Sequence, residues 1–117
     1  MLPWIIAILA GAWLVAHWDD VVKVAKDFVN QIASKWDLYV NDILDGAWES
    51  VLQRLEEDVA VVAQRFYFKG NDGKYYRESV CEKIDESEVP LELLAKLNKQ
   101  PAVDVTQRMK EEMVLVN

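Results

Sequence analysis

The chain has little of several residue types that catalytic and disulfide-stabilised proteins need. Its 117 residues include one cysteine, one histidine, four glycines and three prolines. A lone cysteine, Cys81, excludes an internal disulfide. The lone histidine, His17, is distant in sequence from Cys81, and neither a CxxC pair nor a glycine-rich phosphate-binding loop is present. We therefore expect a protein that is not an enzyme and that binds no metal ion or cofactor.

Positive charge is also scarce. Lysine and arginine total 13 against 20 acidic residues, which gives a formal net charge of -7. Nucleic-acid binding needs clustered basic side chains, whereas the bases here alternate with acids along the chain. The sequence therefore predicts no nucleic-acid partner, and its length allows one small domain.

No charged side chain occurs before Asp19. The preceding segment, Leu2 to Trp18, reads LPWIIAILAGAWLVAHW, and as a helix it would extend about 25 Å, close to the thickness of a bilayer core. We predict a transmembrane helix over residues 1–18. The lysines that follow the segment predict a cytoplasmic C-terminal domain at the cell membrane. A cleaved signal peptide is the alternative, disfavoured because no basic residue precedes the apolar run.

Two sets of residues in this segment have predicted membrane roles, and the predicted partner is the lipid bilayer. Aromatic and amphipathic side chains concentrate at membrane interfaces, and small residues spaced four apart allow helices to approach closely. The predicted interface residues are Trp4, His17 and Trp18, and the predicted helix-packing residues are Ala7, Gly11, Ala12 and Ala16.

An amphipathic helical region is predicted over residues 19–65, with a break near Asp45-Gly46. Apolar residues recur at steps of three and four, the pattern of an amphipathic helix or coiled coil. The two helices could fold back on each other, or continue and pair with other copies of the chain, so we expect a homo-oligomer. The predicted seam consists of Val22, Val29, Ile32, Trp36, Ile43, Trp48, Leu52 and Leu55.

Acidic residues cluster twice in this region. Asp42, Asp45 and Glu49 are spaced by three and four residues, and Glu56-Glu57-Asp58 is a continuous run. Carboxylates can attract divalent cations, but a metal site usually recruits further ligands. We interpret both clusters as solvated surface.

A small α+β module is predicted over residues 66–117. The pattern changes at Phe66, where RFYFK, GNDG and KYYRESV predict a β-hairpin over residues 64–80. A loop of Gly70 to Gly73 would pair Phe68 with Tyr75, whereas a two-residue loop would pair Phe68 with Arg77, and we prefer the longer loop.

Short helices are predicted near residues 90–98 and 106–113, with a brief strand between them. Thr106 is the predicted N-cap of the second helix. The hairpin aromatics have two interpretations, the core of the module or a protein-binding surface. The possible partner-binding residues are Phe66, Phe68, Tyr75 and Tyr76.

The sequence thus predicts a mainly α fold with a small α+β C-terminal module. The predicted function is a non-catalytic single-pass membrane protein that self-associates through its helices and presents an acidic module to protein partners. A pore-forming or membrane-perturbing oligomer and an accessory subunit of a larger membrane complex are the alternatives.

Overall fold

The computed structural model describes residues 13–115 and shows an α+β domain built on a five-stranded mixed sheet. Strand order is β1-β4-β3-β2-β5, with β1 parallel to β4 and the other pairs antiparallel. In chain order the elements are β1 (Trp13–Val15), α1 (Trp18–Trp36), α2 (Val40–Asp45), β2 (Ala47–Glu56), β3 (Val59–Lys69), β4 (Tyr75–Asp85), a 3-10 turn (Glu86–Glu88), α3 (Leu91–Leu97), β5 (Ala102–Asp104) and α4 (Thr106–Leu115). The predicted mainly α fold is therefore wrong.

The predicted membrane helix is contradicted at its C-terminal end. Trp13–Val15 is an edge strand that pairs with Glu82, Lys83 and Ile84 of β4, and an extended backbone cannot continue a helix. None of the helices between residues 13 and 115 combines the length and the apolar composition that crossing a membrane requires. The predicted single-pass membrane protein and its cell-membrane location are wrong. Trp4, Ala7, Gly11 and Ala12 lie outside the described residues.

Helix α1 follows the first half of the predicted seam. Val22, Ala25, Val29 and Ile32 are buried along one face, as the spacing of three and four residues requires. Trp18 is also buried, and its indole Nε1 donates a hydrogen bond to Glu112 Oε2 at 2.9 Å. The apolar face of α1 packs on a sheet of its own chain, so the coiled coil predicted from it is wrong.

Two long strands replace the predicted second helix. The break at Gly46 does end a helix, since Gly46 is the extended residue that follows Asp45. Glycine fits this position because a Cβ would lie 2.8 Å from the carbonyl oxygen of Asp42. The chain then enters β2 and β3, which pair from Ala47 with Tyr67 to Glu56 with Val59. A two-residue turn at Glu57 and Asp58 joins them.

The sheet has an inner face that the helices cover. Trp48, Leu52, Val62, Phe66 and Ile84 project from this face into one hydrophobic core with α1, α2, α3 and α4. The opposite face, which we call the outer face, carries the alternate residues of each strand. Register places Val51, Ala63 and Cys81 side by side on this outer face.

The hairpin register differs from both predicted alternatives by one residue. Phe68 pairs with Tyr76 and Lys69 pairs with Tyr75, so residues 70–74 form a five-residue loop. The amide of Gly70 donates to the Lys74 carbonyl at 2.8 Å, and Gly73 has a φ of 80°. The aromatic side chains still meet, since the Phe68 and Tyr76 rings lie 5.8 Å apart.

Candidate functional site

A groove lies at the end of the sheet where β2 ends and β3 begins. Its volume is about 620 Å³, and we call it the acidic groove. Four carboxylates and one guanidinium line it, a formal excess of three negative charges. The lining residues are Arg54, Glu57, Asp58, Asp85, Glu86, Ser87, Leu94 and Asn98.

Backbone geometry brings two acidic loops together in this groove. Asp58 adopts a positive φ of 63°, a conformation that aspartate tolerates better than most residues, and this closes the β2–β3 turn. The amide of Glu86 donates to the Asp58 carbonyl at 2.9 Å, which ties the turn to the end of β4. The Asp85 carboxylate accepts a hydrogen bond from the Ser87 amide at 2.9 Å. The acidic side chains therefore lie on a fixed backbone.

Arg54 is the only basic residue among those that line the groove. Its Nε donates to the Glu86 carboxylate at 3.0 and 3.2 Å, and its Nη2 donates to Asn98 Oδ1 at 2.7 Å. Glu57 and Asp58 form no side-chain hydrogen bond or salt bridge with other described residues. Asp58 still attracts the Arg54 guanidinium at longer range, since its charge helps to raise the pKa of Arg54.

One carboxylate of the acidic groove has a perturbed pKa. Hydrogen bonds from Ser87 lower the pKa of Asp85 below its ordinary value, which keeps the carboxylate ionised. General acid–base catalysis favours a pKa close to the working pH. No group of three or more potential ligands within residues 13–115 has the geometry to hold a metal ion.

A perturbed carboxyl does occur in the sheet, but it does not line the acidic groove. Glu82 is fully buried on the inner face, and burial raises its pKa to about 8. Neither of its oxygens has a hydrogen-bond partner in the described part of the chain, and the same holds for the nearby side chains of Ser50 and Gln64. These three residues form a buried polar cluster. Buried polar atoms without hydrogen-bond partners lower the stability of the fold.

The other reactive side chains are also placed away from one another. Burial raises the pKa of the Cys81 thiol to about 12, so it is not a ready nucleophile. His17 is exposed and pairs through Nδ1 with Glu88 Oε1 at 2.7 Å. Cys81 lies on the outer face of the sheet, and His17 lies before α1.

The predicted membrane and seam residues lie mostly in or around the core of this single chain. Ala16 is exposed beside His17, whereas Trp18 is buried. Six seam residues are buried and two are half-buried, so the seam faces the sheet or belongs to it. The buried ones are Val22, Val29, Ile32, Ile43, Trp48 and Leu52, and the half-buried ones are Trp36 and Leu55.

The structure separates the four predicted partner-binding aromatics. Phe66 and Phe68 are buried in the core, and Tyr76 is half-buried against Trp36 with ring centroids 4.5 Å apart. Tyr75 alone of the four is largely exposed, at 81%. Lys69 Nζ lies 5.9 Å from the centre of its ring, within the range of a cation–π contact.

The run Glu56-Glu57-Asp58 was recognised in the sequence, but its position beside a groove was not predicted. The turn could not be recognised in the sequence, because Glu57-Asp58 contains neither the glycine nor the asparagine that usually marks a tight hairpin. The second acidic loop, Asp85 to Glu88, lies next to this turn only through the β3–β4 register, which pairs Val59 with Asp85.

No family model matches the chain, and no curated protein or solved structure is similar to it.

Proposed function

We propose that this protein is a non-catalytic protein-binding domain whose acidic groove accepts a lysine- or arginine-bearing segment of a partner protein. The observation that carries this proposal is the pair of carboxylates, Glu57 and Asp58, left without side-chain partners among the described residues on a fixed turn.

Charge complementarity supports a basic partner. The groove concentrates negative charge, and the net charge of the whole chain is -7. Such a field raises the association rate of a basic partner and disfavours an acidic one. Leu94 adds an apolar contact to the lining, which would cover the methylene stem of a bound lysine or arginine.

The test uses the full chain and a fluorescein-labelled hexa-arginine peptide, followed by fluorescence anisotropy. The groove variant combines Glu57→Gln with Asp58→Asn, because asparagine also tolerates positive φ. The matched control combines Asp27→Asn with Asp42→Asn, which are exposed on α1 and α2 and remove the same charge.

We expect the groove variant to weaken binding by roughly 2- to 30-fold, from two exposed ion pairs of about 0.2 to 1 kcal/mol each. The control variant should bind within about twofold of the wild type. Equal loss in both variants would mean that total charge, not the groove, attracts the peptide. Absence of saturable binding to the wild type would also contradict the proposal.

A further inference from the structure

The buried polar cluster contains the only acidic residue that is fully buried in the described part of the chain. This residue, Glu82, lies diagonally next to Gln64, because the register pairs Val62 with Glu82 and Gln64 with Val80. Ser50 pairs with Gln64 on the other side. The side-chain polar atoms of these three residues have no hydrogen-bond partner among the described residues. A negative charge at Glu82 would therefore be buried among neutral neighbours, at a large cost in free energy.

No described side chain of opposite charge compensates Glu82. Strands β1 and β3 and helix α1 pack against β4, and the residues of β1 and β3 that pair with Glu82 are uncharged. Within β4, the adjacent Cys81 and Lys83 belong to the outer face. Helix α1 carries two half-buried charged residues, Asp20 and Lys26, and neither forms a salt bridge with Glu82. The Glu82 carboxyl is therefore stable in this place only while it is protonated.

Strand β1 is the short edge strand beside Glu82. It has three residues, and the first of them, Trp13, pairs with Glu82. Val15 is half-buried and packs against the core, whereas Leu14 is 79% exposed. Segments with few buried contacts open locally at a lower free energy than the core of a domain. Because β3 and β2 lie on the other side of β4, the edge at β1 is the shorter route from the Glu82 carboxyl to water.

A second titratable contact holds the end of β1 that continues into α1. His17 follows shortly after β1, and its Nδ1 lies 2.7 Å from Glu88 Oε1, on the 3-10 turn that follows β4. The His17 amide also donates to Asp20 Oδ2 at 3.0 Å. A rise in pH removes the positive charge of His17 and gives Glu82 a negative charge. Both changes weaken the attachment of β1, so they act in the same direction.

We propose that β1 is a pH-gated edge strand, which is attached to β4 in acidic solution and detaches when Glu82 ionises. Detachment brings the carboxylate into water and leaves residues 82–84 of β4 without their strand partner. An unpaired strand edge accepts other extended segments, so the gate controls access to this part of the sheet. The inference does not depend on the acidic groove, because neither Glu82 nor His17 lines it.

The test follows the attachment of β1 by paramagnetic relaxation in the full chain at pH 6 and pH 9. A nitroxide is attached at Leu14→Cys in a Cys81→Ala background, and the methyl groups of Ile84, the partner of Val15, are the reporters. Burial raises the pKa of Glu82 to about 8, so at pH 9 the ionised form exceeds the protonated form by about tenfold. We therefore expect a strong relaxation enhancement at pH 6 and one that is about tenfold smaller at pH 9.

Two variants and two controls assign the change. Glu82→Gln keeps a neutral side chain and should keep β1 attached at pH 9. Glu88→Gln removes the partner of His17 and should move detachment to a lower pH, because the strand then has one attachment fewer. Glu56→Gln, which removes an equal charge at an exposed position of β2, should leave the transition unchanged. A nitroxide at Tyr67→Cys with the Val51 methyl groups as reporters monitors the β2–β3 pair and should give the same enhancement at both pH values.

Three results would overturn the gate. Equal enhancement of Ile84 relaxation at pH 6 and pH 9 would show that β1 does not detach. A loss at pH 9 that persists in Glu82→Gln would assign the detachment to another group. A parallel loss in the Tyr67 control would show that the whole domain unfolds rather than one strand. If Glu82→Gln does not fold, an unchanged transition in Glu88→Gln contradicts the proposal instead.

Discussion

Single residues carry two features of this domain that the sequence pattern conceals. Glu82 and His17 are both ordinary polar residues in the sequence. In the structure, Glu82 is buried without a hydrogen-bond partner among the described residues, and His17 pairs with Glu88, which is distant in sequence. Their titration gives predictions at the residue scale.

Glu82 should make the domain less stable as the pH rises. Burial raises its pKa from 4.5 to about 8, so the folded state holds a proton that the unfolded state has released between these values. Stability is therefore lost as pH increases from about 4.5 to 8, on the order of 3 to 5 kcal/mol in all. Urea unfolding at pH 5 and pH 8.5 measures the loss, which Glu82→Gln should largely remove. An unchanged loss in that variant would assign the titration to another group.

His17 should titrate above its ordinary pKa of 6.5 because Glu88 accepts its hydrogen bond and attracts its positive charge. The protonated form stabilises the folded state below pH 6.5, and this contribution is lost as pH rises through the folded pKa. The chain has one histidine, so NMR titration reports a single imidazole. Glu88→Gln should bring the pKa down toward 6.5. A pKa that does not change in this variant would contradict the pairing.

At the scale of elements, hydrogen bonds to Ser50 hold the start of helix α4 against strand β2. Thr106 is the first residue of helix α4 rather than its N-cap, and Thr106 Oγ1 accepts a hydrogen bond from the amide of Ser50 at 2.9 Å. The Val105 amide donates to the Ser50 carbonyl, also at 2.9 Å. The hydroxyl that was predicted to cap the helix instead holds the helix to the sheet.

Replacing Thr106 with valine should destabilise the domain by about 1 to 3 kcal/mol, because the buried amide of Ser50 would lose its acceptor. Thr106→Ser keeps the hydroxyl and should cost less than about 1 kcal/mol. Chemical denaturation of both variants measures the difference. Equal effects of the two substitutions would show that the methyl group, rather than the hydroxyl, is what matters.

Helix α1 could be predicted from the sequence, whereas β2 and β3 could not. One face of α1 is buried and the other is exposed, so its apolar residues show the helical period. Strand β3 is buried on both faces from Ala60 to Gln64, which removes the alternation that identifies a half-buried strand. Its apolar positions then matched a helical spacing by coincidence.

The hairpin shows how loop chemistry limits such predictions. Its strands and glycine-containing loop were recognised, but Lys74 belongs to the loop because its amide also donates to Asp72 Oδ1 at 3.0 Å. One added loop residue shifts the partner of Phe68 from Tyr75 to Tyr76. The acidic groove was harder to predict, since it depends on the side-by-side placement of Asp58 and Asp85 from different turns.

At the scale of the whole molecule, the apolar composition of residues 2–18 suggested a membrane, whereas the structure begins a sheet within that segment. The acidic charge is also concentrated at one place in the structure, because four carboxylates line the acidic groove.

The most direct test of the proposed function is an NMR titration of the full, isotope-labelled chain with hexa-arginine peptide. The account predicts saturable shifts concentrated at the amides of Glu57, Asp58, Glu86 and Asn98, which line the acidic groove. Shifts spread evenly over exposed acids such as Asp27 and Asp42, or centred on the hairpin near Tyr75, would contradict it.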